Sequence, residues 1–208
     1  MDNRQEHLKN LSEIRSLMER SSSFISLSGL SGISAGIIGL IAAYILQSRI
    51  APYMNYTRDV FITPEKRTDL IMFGVMVSLA VLIVTFALAI FFTAHKAKKR
   101  GFPVWDGSAK RLVLNLFIPL IAGGLFCLLL VYHYFDWLVI PSMLIFYGLA
   151  LINASKYTLH EIMWLGISEI ILGLCATYFL SYSIYFWGLG FGVMNIIYGA
   201  VMYFKYEK

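Results

Sequence analysis

Six stretches of this chain are long and apolar enough that water is the wrong solvent for them. They run 24–46, 71–93, 112–132, 138–154, 162–180 and 184–204. A helix rises 1.5 Å per residue, so about 20 residues cross roughly 30 Å of hydrocarbon. In lipid a backbone must satisfy its own polar groups, which leaves helices as the way these stretches can cross. The expected fold is all-α: a polytopic membrane bundle of six transmembrane helices over 24–208. Composition agrees, with 59% hydrophobic and 14% charged residues and a mean hydropathy of +0.71. A soluble globular domain carries about 25% charge. The first stretch is too long and its flank too mixed in charge for a cleavable signal peptide.

The charged residues orient the bundle. The segment before the first stretch, the second and fourth loops and the tail hold 13 Lys and Arg, and the other side holds 4. The positive-inside rule then puts both termini in the cytoplasm. Tyr132, Tyr134, Trp137, Tyr182, Tyr185 and Trp187 cluster at the opposite ends of the spans, as an aromatic belt would. With basic residues grouped beside apolar segments, the net charge of +5 reflects topology and anionic lipid; nucleic acid is not an expected partner. Lys96, Lys98, Lys99 and Arg100 are the densest such cluster, suited to anionic lipid or a protein partner.

Residues 1–23 read as a cytoplasmic amphipathic helix. Leu8, Leu11, Ile14, Leu17 and Met18 recur at helical spacing, and Lys9–Glu13 and Arg15–Glu19 are i,i+4 pairs. Such a helix lies on the membrane surface or docks a cytoplasmic protein through Leu8, Leu11, Ile14 and Met18.

Comparing the chain with itself exposes a repeat. Gly32–Leu46 and Gly166–Leu180 align without gaps, with nine of 15 positions identical. Phe73-Gly74-Val75-Met76 recurs as Phe191-Gly192-Val193-Met194, and Met143-x-Ile145-x-Tyr147-Gly148 as Met194-x-Ile196-x-Tyr198-Gly199. Three helical hairpins in parallel orientation are expected. Repeats of this kind often place a site at their interface near the midplane. Small residues form stripes at helical spacing: Gly29, Gly32, Gly36 and Gly39; Gly166 and Gly173; Gly188, Gly192 and Gly199. Such stripes let backbones approach and serve intramolecular packing or a homo-oligomer equally. Pro119 and Pro141 are expected in first or second turns, where a missing N–H costs least.

Glu169 is the only charged residue inside any of the six stretches. It shares a stripe with Gly166 and Gly173, so it should face a helix. A bare carboxylate there is costly, and such residues mark functional sites by default. Asn195 lies at a similar depth and is the expected hydrogen-bond partner, with Ser34 at the same level. The alternative is a structural clamp between helices. His95, His160 and Glu161 form only a weak candidate metal site, lacking ligand spacing on one face. His133 and Asp136 are a candidate local pair. Gly32-Ile33-Ser34-Ala35-Gly36 fits G-x-S-x-G without the strand-to-helix elbow that motif needs. No catalytic residue and no cofactor is assigned. Cys127 and Cys175, inside apolar runs, read as packing residues.

The stretch from Ile14 to Gly32, Ile-Arg-Ser-Leu-Met-Glu-Arg-Ser-Ser-Ser-Phe-Ile-Ser-Leu-Ser-Gly-Leu-Ser-Gly, resembles the opening of uncharacterised bacterial six-span integral membrane proteins. The resemblance implies a bacterial inner membrane and carries no activity. The leading expectation is a small-solute or proton-linked transporter or permease-like protein using Glu169, Asn195 and Ser34. The alternatives are a membrane sensor or scaffold acting through the N-terminal helix and the basic loop, and a membrane-embedded enzyme.

Overall fold

The computed structural model describes residues 28–54, 63–99 and 107–208. The expected amphipathic helix with Leu8, Leu11, Ile14 and Met18 lies outside the described residues, as does Arg100. The described residues are helical, and no strand occurs among them. The helices are α1 (Gly29–Met54), α2 (Pro64–Lys99), α3 (Gly107–Tyr132), α4 (Val139–Ser155) and α5 (Glu161–Tyr178). The last span is composite. It consists of α6 (Ser183–Trp187), a π-helical segment (Gly188–Met194) and α7 (Asn195–Tyr206). Among the described residues, six helices are long and apolar enough to cross a membrane.

Local chemistry explains where the helices start and what ties them. The Thr63 hydroxyl accepts the Lys66 N–H at 3.3 Å, Pro64 takes the first helical position and Glu65 lies in the first turn. This is a capped helix start. It begins α2 seven residues ahead of the apolar stretch. Pro119 does not lie in an early turn as expected, because α3 starts at Gly107 and the proline is inside the helix. Its missing N–H leaves the Asn115 carbonyl without its ordinary intrahelical donor. Asn153 of α4 supplies one, its amide reaching the Asn115 oxygen at 2.9 Å. The break in one helix therefore becomes a tie to the next.

The α3–α4 turn is held from a third helix. Arg67 of α2 donates to both Asp136 carboxylate oxygens at 2.7 and 2.8 Å and to the Val131 carbonyl at 2.8 Å. Its guanidinium also lies over the Tyr134 ring, 4.1 Å from the centroid. Tyr134 has a φ of 65°, a left-handed conformation that a side chain adopts only when surroundings enforce it. Asp136 is thus taken by Arg67, whereas His133 packs edge-on against Tyr132.

The bundle packs most closely between α4 and α5 and between α1 and the composite span. At Gly36, Gly148 and Gly166 an added Cβ would strike the same groups. These are a carbonyl oxygen of a glycine and the amide nitrogen and Cγ1 of an isoleucine four residues on: Gly192/Ile196, Gly166/Ile170 and Gly148/Ile152 respectively. Gly32 meets the Gly199 Cα. At these glycines helix backbones cross in close contact. α2 and α3 bury few of their side chains, which suits helices facing hydrocarbon. Tyr132, Tyr134, Trp137, Tyr182 and Tyr185 are exposed at one end of the bundle. Trp187 is not part of that belt. It is buried at 2% exposure and packs with Ala42, Leu46 and Ile184.

Candidate functional site: an enclosed carboxyl beside a π-helical turn

Glu169 sits on the α5 face that carries Gly166 and Gly173, both packed onto α4. Because that face is spent on close helix contact, the side chain projects into the bundle and is 0% exposed. Neither Glu169 oxygen has a hydrogen-bond partner among the described residues. Buried polar groups are almost always paired, so a buried carboxyl with two unpaired oxygens is a strong exception.

The composite span supplies the wall against it. Gly188, Gly190 and Gly192 fall within the seven-residue π-helical segment. Glycine imposes little preference for the α conformation, and π turns inside helices concentrate at functional sites. Gly190 has a second reason to lack a side chain. A Cβ there would strike Glu169 Oε2 and lie 2.6 Å from Leu144 Cδ2. The carboxyl thus rests on the Gly190 backbone.

Asn195 follows the π-helical segment and is buried. Its amide nitrogen donates to the Gly190 carbonyl at 3.2 Å. Its Oδ1 accepts from the Tyr147 hydroxyl of α4 at 3.1 Å. Glu169 and Asn195 therefore share a neighbourhood without a direct hydrogen bond, and Gly190 lies between them. The Tyr147 ring stacks on Phe191 with centroids 4.8 Å apart, and Phe191 in turn meets Trp187 at 5.0 Å. The hydroxyl is held from two sides, by its hydrogen bond and by its stacked ring. Ser34 stays apart from this chain, its hydroxyl donating to Ser31 O of its own helix at 3.0 Å.

The sequence singled out Glu169 and Asn195, and the fold brings Tyr147 and Gly190 beside them. Both had a signal. Tyr147 is a phenol inside an apolar stretch beside Gly148. Gly190 is the middle of three alternating glycines, a spacing that weakens an α-helix and invites another backbone.

The end of the bundle bearing the C-terminus is polar and internally paired. The Glu207 carboxylate accepts the Gly29 N–H at 2.5 Å, the Ser28 hydroxyl at 3.3 Å and the Lys96 ammonium at 3.2 Å. It caps α1 with a negative charge at the positive end of the helix dipole and ties α2 to the tail. Lys96 is 8% exposed, so it is a strut of the fold, whereas Lys98 faces outward. The Lys99 side chain is not among those described. Glu161 accepts from Lys205 at 2.5 Å and from the Tyr206 hydroxyl at 3.1 Å. His160 lies against Trp164 and His95 against Phe91. The weak metal candidates thus have separate partners, and no three His, Cys, Asp or Glu among the described residues could hold a metal ion. Cys127 and Cys175 are free thiols. The chain matches no family model, no curated protein and no solved structure.

Proposed function

We propose that this chain is a small proton-linked transporter or permease-like protein for a small solute, in a bacterial inner membrane, with both termini cytoplasmic. The observation that carries the reading is the carboxyl of Glu169, enclosed between helices with neither oxygen hydrogen-bonded. A structural clamp would be satisfied by its partner; this group is not. An intramembrane carboxyl that takes up and releases a proton is the device by which a transporter couples solute movement to a gradient. Gly190, Asn195 and Tyr147 form the polar wall beside it. The π-helical segment is the part of the wall best able to change conformation, because three of its seven residues lack side chains.

The three-hairpin reading is supported by two glycine crossings. Gly32 meets Gly199, and Gly166 meets Gly148. Gly32 and Gly166 are equivalent in the internal alignment, and so are Gly148 and Gly199. In each case the first helix of one hairpin crosses the second helix of another at equivalent residues. The Glu169 site lies where the second and third hairpins meet, and position 35, equivalent to Glu169, is alanine. The site is therefore asymmetric.

Purified protein in liposomes with an entrapped pH dye tests the reading. A panel of amino acids, sugars, organic acids and amines is added across a proton gradient. At least one solute is expected to change the dye signal with the wild-type protein, at least tenfold faster than with Glu169→Gln. No response from wild type to any solute, or an equal response from Glu169→Gln, would contradict it.

A further inference from the structure

Glu169 is unsatisfied in either protonation state. Ionised, it is a bare charge away from water, which is costly. Protonated, its O–H is a donor with no acceptor, because neither oxygen has a hydrogen-bond partner among the described residues. A proton alone therefore does not complete the site. We propose that Glu169 binds a dehydrated monovalent inorganic cation of the alkali class, held by its carboxylate with neutral oxygens from the surrounding wall. This deepens the transport reading and rests on the same carboxyl.

Charge balance selects the valence. The elements packed around Glu169 are α4, the composite span and its own helix, α5. Among the described residues of these elements, the titratable side chain that borders it is the Tyr147 phenol, which hydrogen-bonds Asn195. Among the charged groups of these elements, Glu161 and Lys205 are paired with each other at the end of the bundle bearing the C-terminus. Lys156 follows the last turn of α4 at that same end. The site thus offers one negative charge. One monovalent cation makes it neutral, and a divalent ion would leave a positive charge in the interior, where unpaired charge is expensive.

Donor chemistry selects the class. The polar groups of the wall are the Gly190 carbonyl, the Asn195 side chain and the Tyr147 hydroxyl. The available ligand atoms are oxygens, which suit hard cations; thiolate and imidazole, the ligands of softer metals, are missing from this group. The interrupted backbone fits as well. Carbonyls at a break in a membrane helix coordinate monovalent cations in transporter architectures generally. The Asn195 amide now caps the Gly190 carbonyl, and its rotation releases that oxygen to an ion.

The intact protein in nanodiscs tests this through its unfolding temperature. Lithium, sodium and potassium chloride are compared with N-methylglucamine chloride at equal ionic strength. One alkali cation should raise Tm saturably, by on the order of 5 °C at a hundredfold excess over Kd. The rise should shrink at acid pH, where a proton competes for Glu169, and vanish in Glu169→Gln. An equal Tm in all four salts overturns the proposal, as does a full response in Glu169→Gln. Should that variant fail to fold, the wild-type pH series decides, and a response undiminished by acid overturns it. A cation response without solute-driven flux upholds the ion site and removes the transport reading. Flux that depends on Glu169 without a cation response does the reverse.

Discussion

Replacing Gly148 with leucine is expected to prevent recovery of folded protein. An added Cβ at this position would lie 2.5 Å from the Gly166 carbonyl oxygen, 2.7 Å from Ile170 Cγ1 and 3.0 Å from the Ile170 nitrogen. Two of these atoms are backbone, so α4 and α5 must separate to admit a side chain. Overpacking a core costs about 1–3 kcal/mol when side chains can yield; here the cost should reach the top of that range or exceed it. The penalty is compounded because helices in lipid lack a hydrophobic drive to associate and rely on close contact. Gly166→Leu should behave alike, since it meets Gly148 O at 2.7 Å and Ile152 Cγ1 at 2.8 Å. Gly124→Leu is the control, with nothing within 4 Å of an added Cβ. Size-exclusion profiles in detergent should show aggregate for the first two variants and a wild-type peak for the third. A monodisperse Gly148→Leu with near-wild-type Tm would contradict the packing described.

The second large effect is expected at Gly190. A single methyl added there falls on Glu169 Oε2 and against Leu144. Gly190→Ala must displace the carboxyl from its seat, while the backbone crossings at Gly32, Gly148, Gly166 and Gly199 are untouched. The variant should therefore fold, with a stability loss of about 1–3 kcal/mol. Its solute-driven flux and its alkali-cation response should each fall at least tenfold. A Gly190→Ala protein with wild-type flux and cation response would show that the position of Glu169 against the π-helical segment does not matter. Thermal unfolding and the liposome assay read the two parts separately.

The six helices were legible because a run of about 20 apolar residues is a strong physical signal. Their ends were less so. α2 reaches back to Pro64 because a Thr63 cap, a proline and a glutamate start a helix in polar sequence, where hydropathy carries no weight. Asn153 could not be connected to Pro119 in advance, since that bond crosses two helices and answers a carbonyl that only the fold exposes. The burial of Glu169 was legible from its place among glycines. Its relation to Asn195 was legible only in depth. Counting 1.5 Å per residue places two groups at one level, but their direction around the helix depends on every turn before them. The π-helical segment changes the winding over Gly188–Met194, so α-helical counting misjudges which way Asn195 points. Trp187, which precedes that segment, read as an interface anchor from its place at a span end and is core, because depth does not fix the face a side chain takes. Asn195 read as the partner of Glu169 and instead holds Tyr147 and the Gly190 carbonyl.

On the function proposed, Glu169 is an enclosed carboxyl that nevertheless exchanges its proton or cation with the bulk. A hydrophobic carbodiimide reacts with protonated carboxyl groups in apolar surroundings, and peptide mass spectrometry locates the adduct. The expected result is a single slow modification at Glu169, accelerated at acid pH and retarded by the alkali cation that raises Tm. Unmodified Glu169 after long exposure, or modification at a rate indifferent to both pH and cation, would contradict the claim.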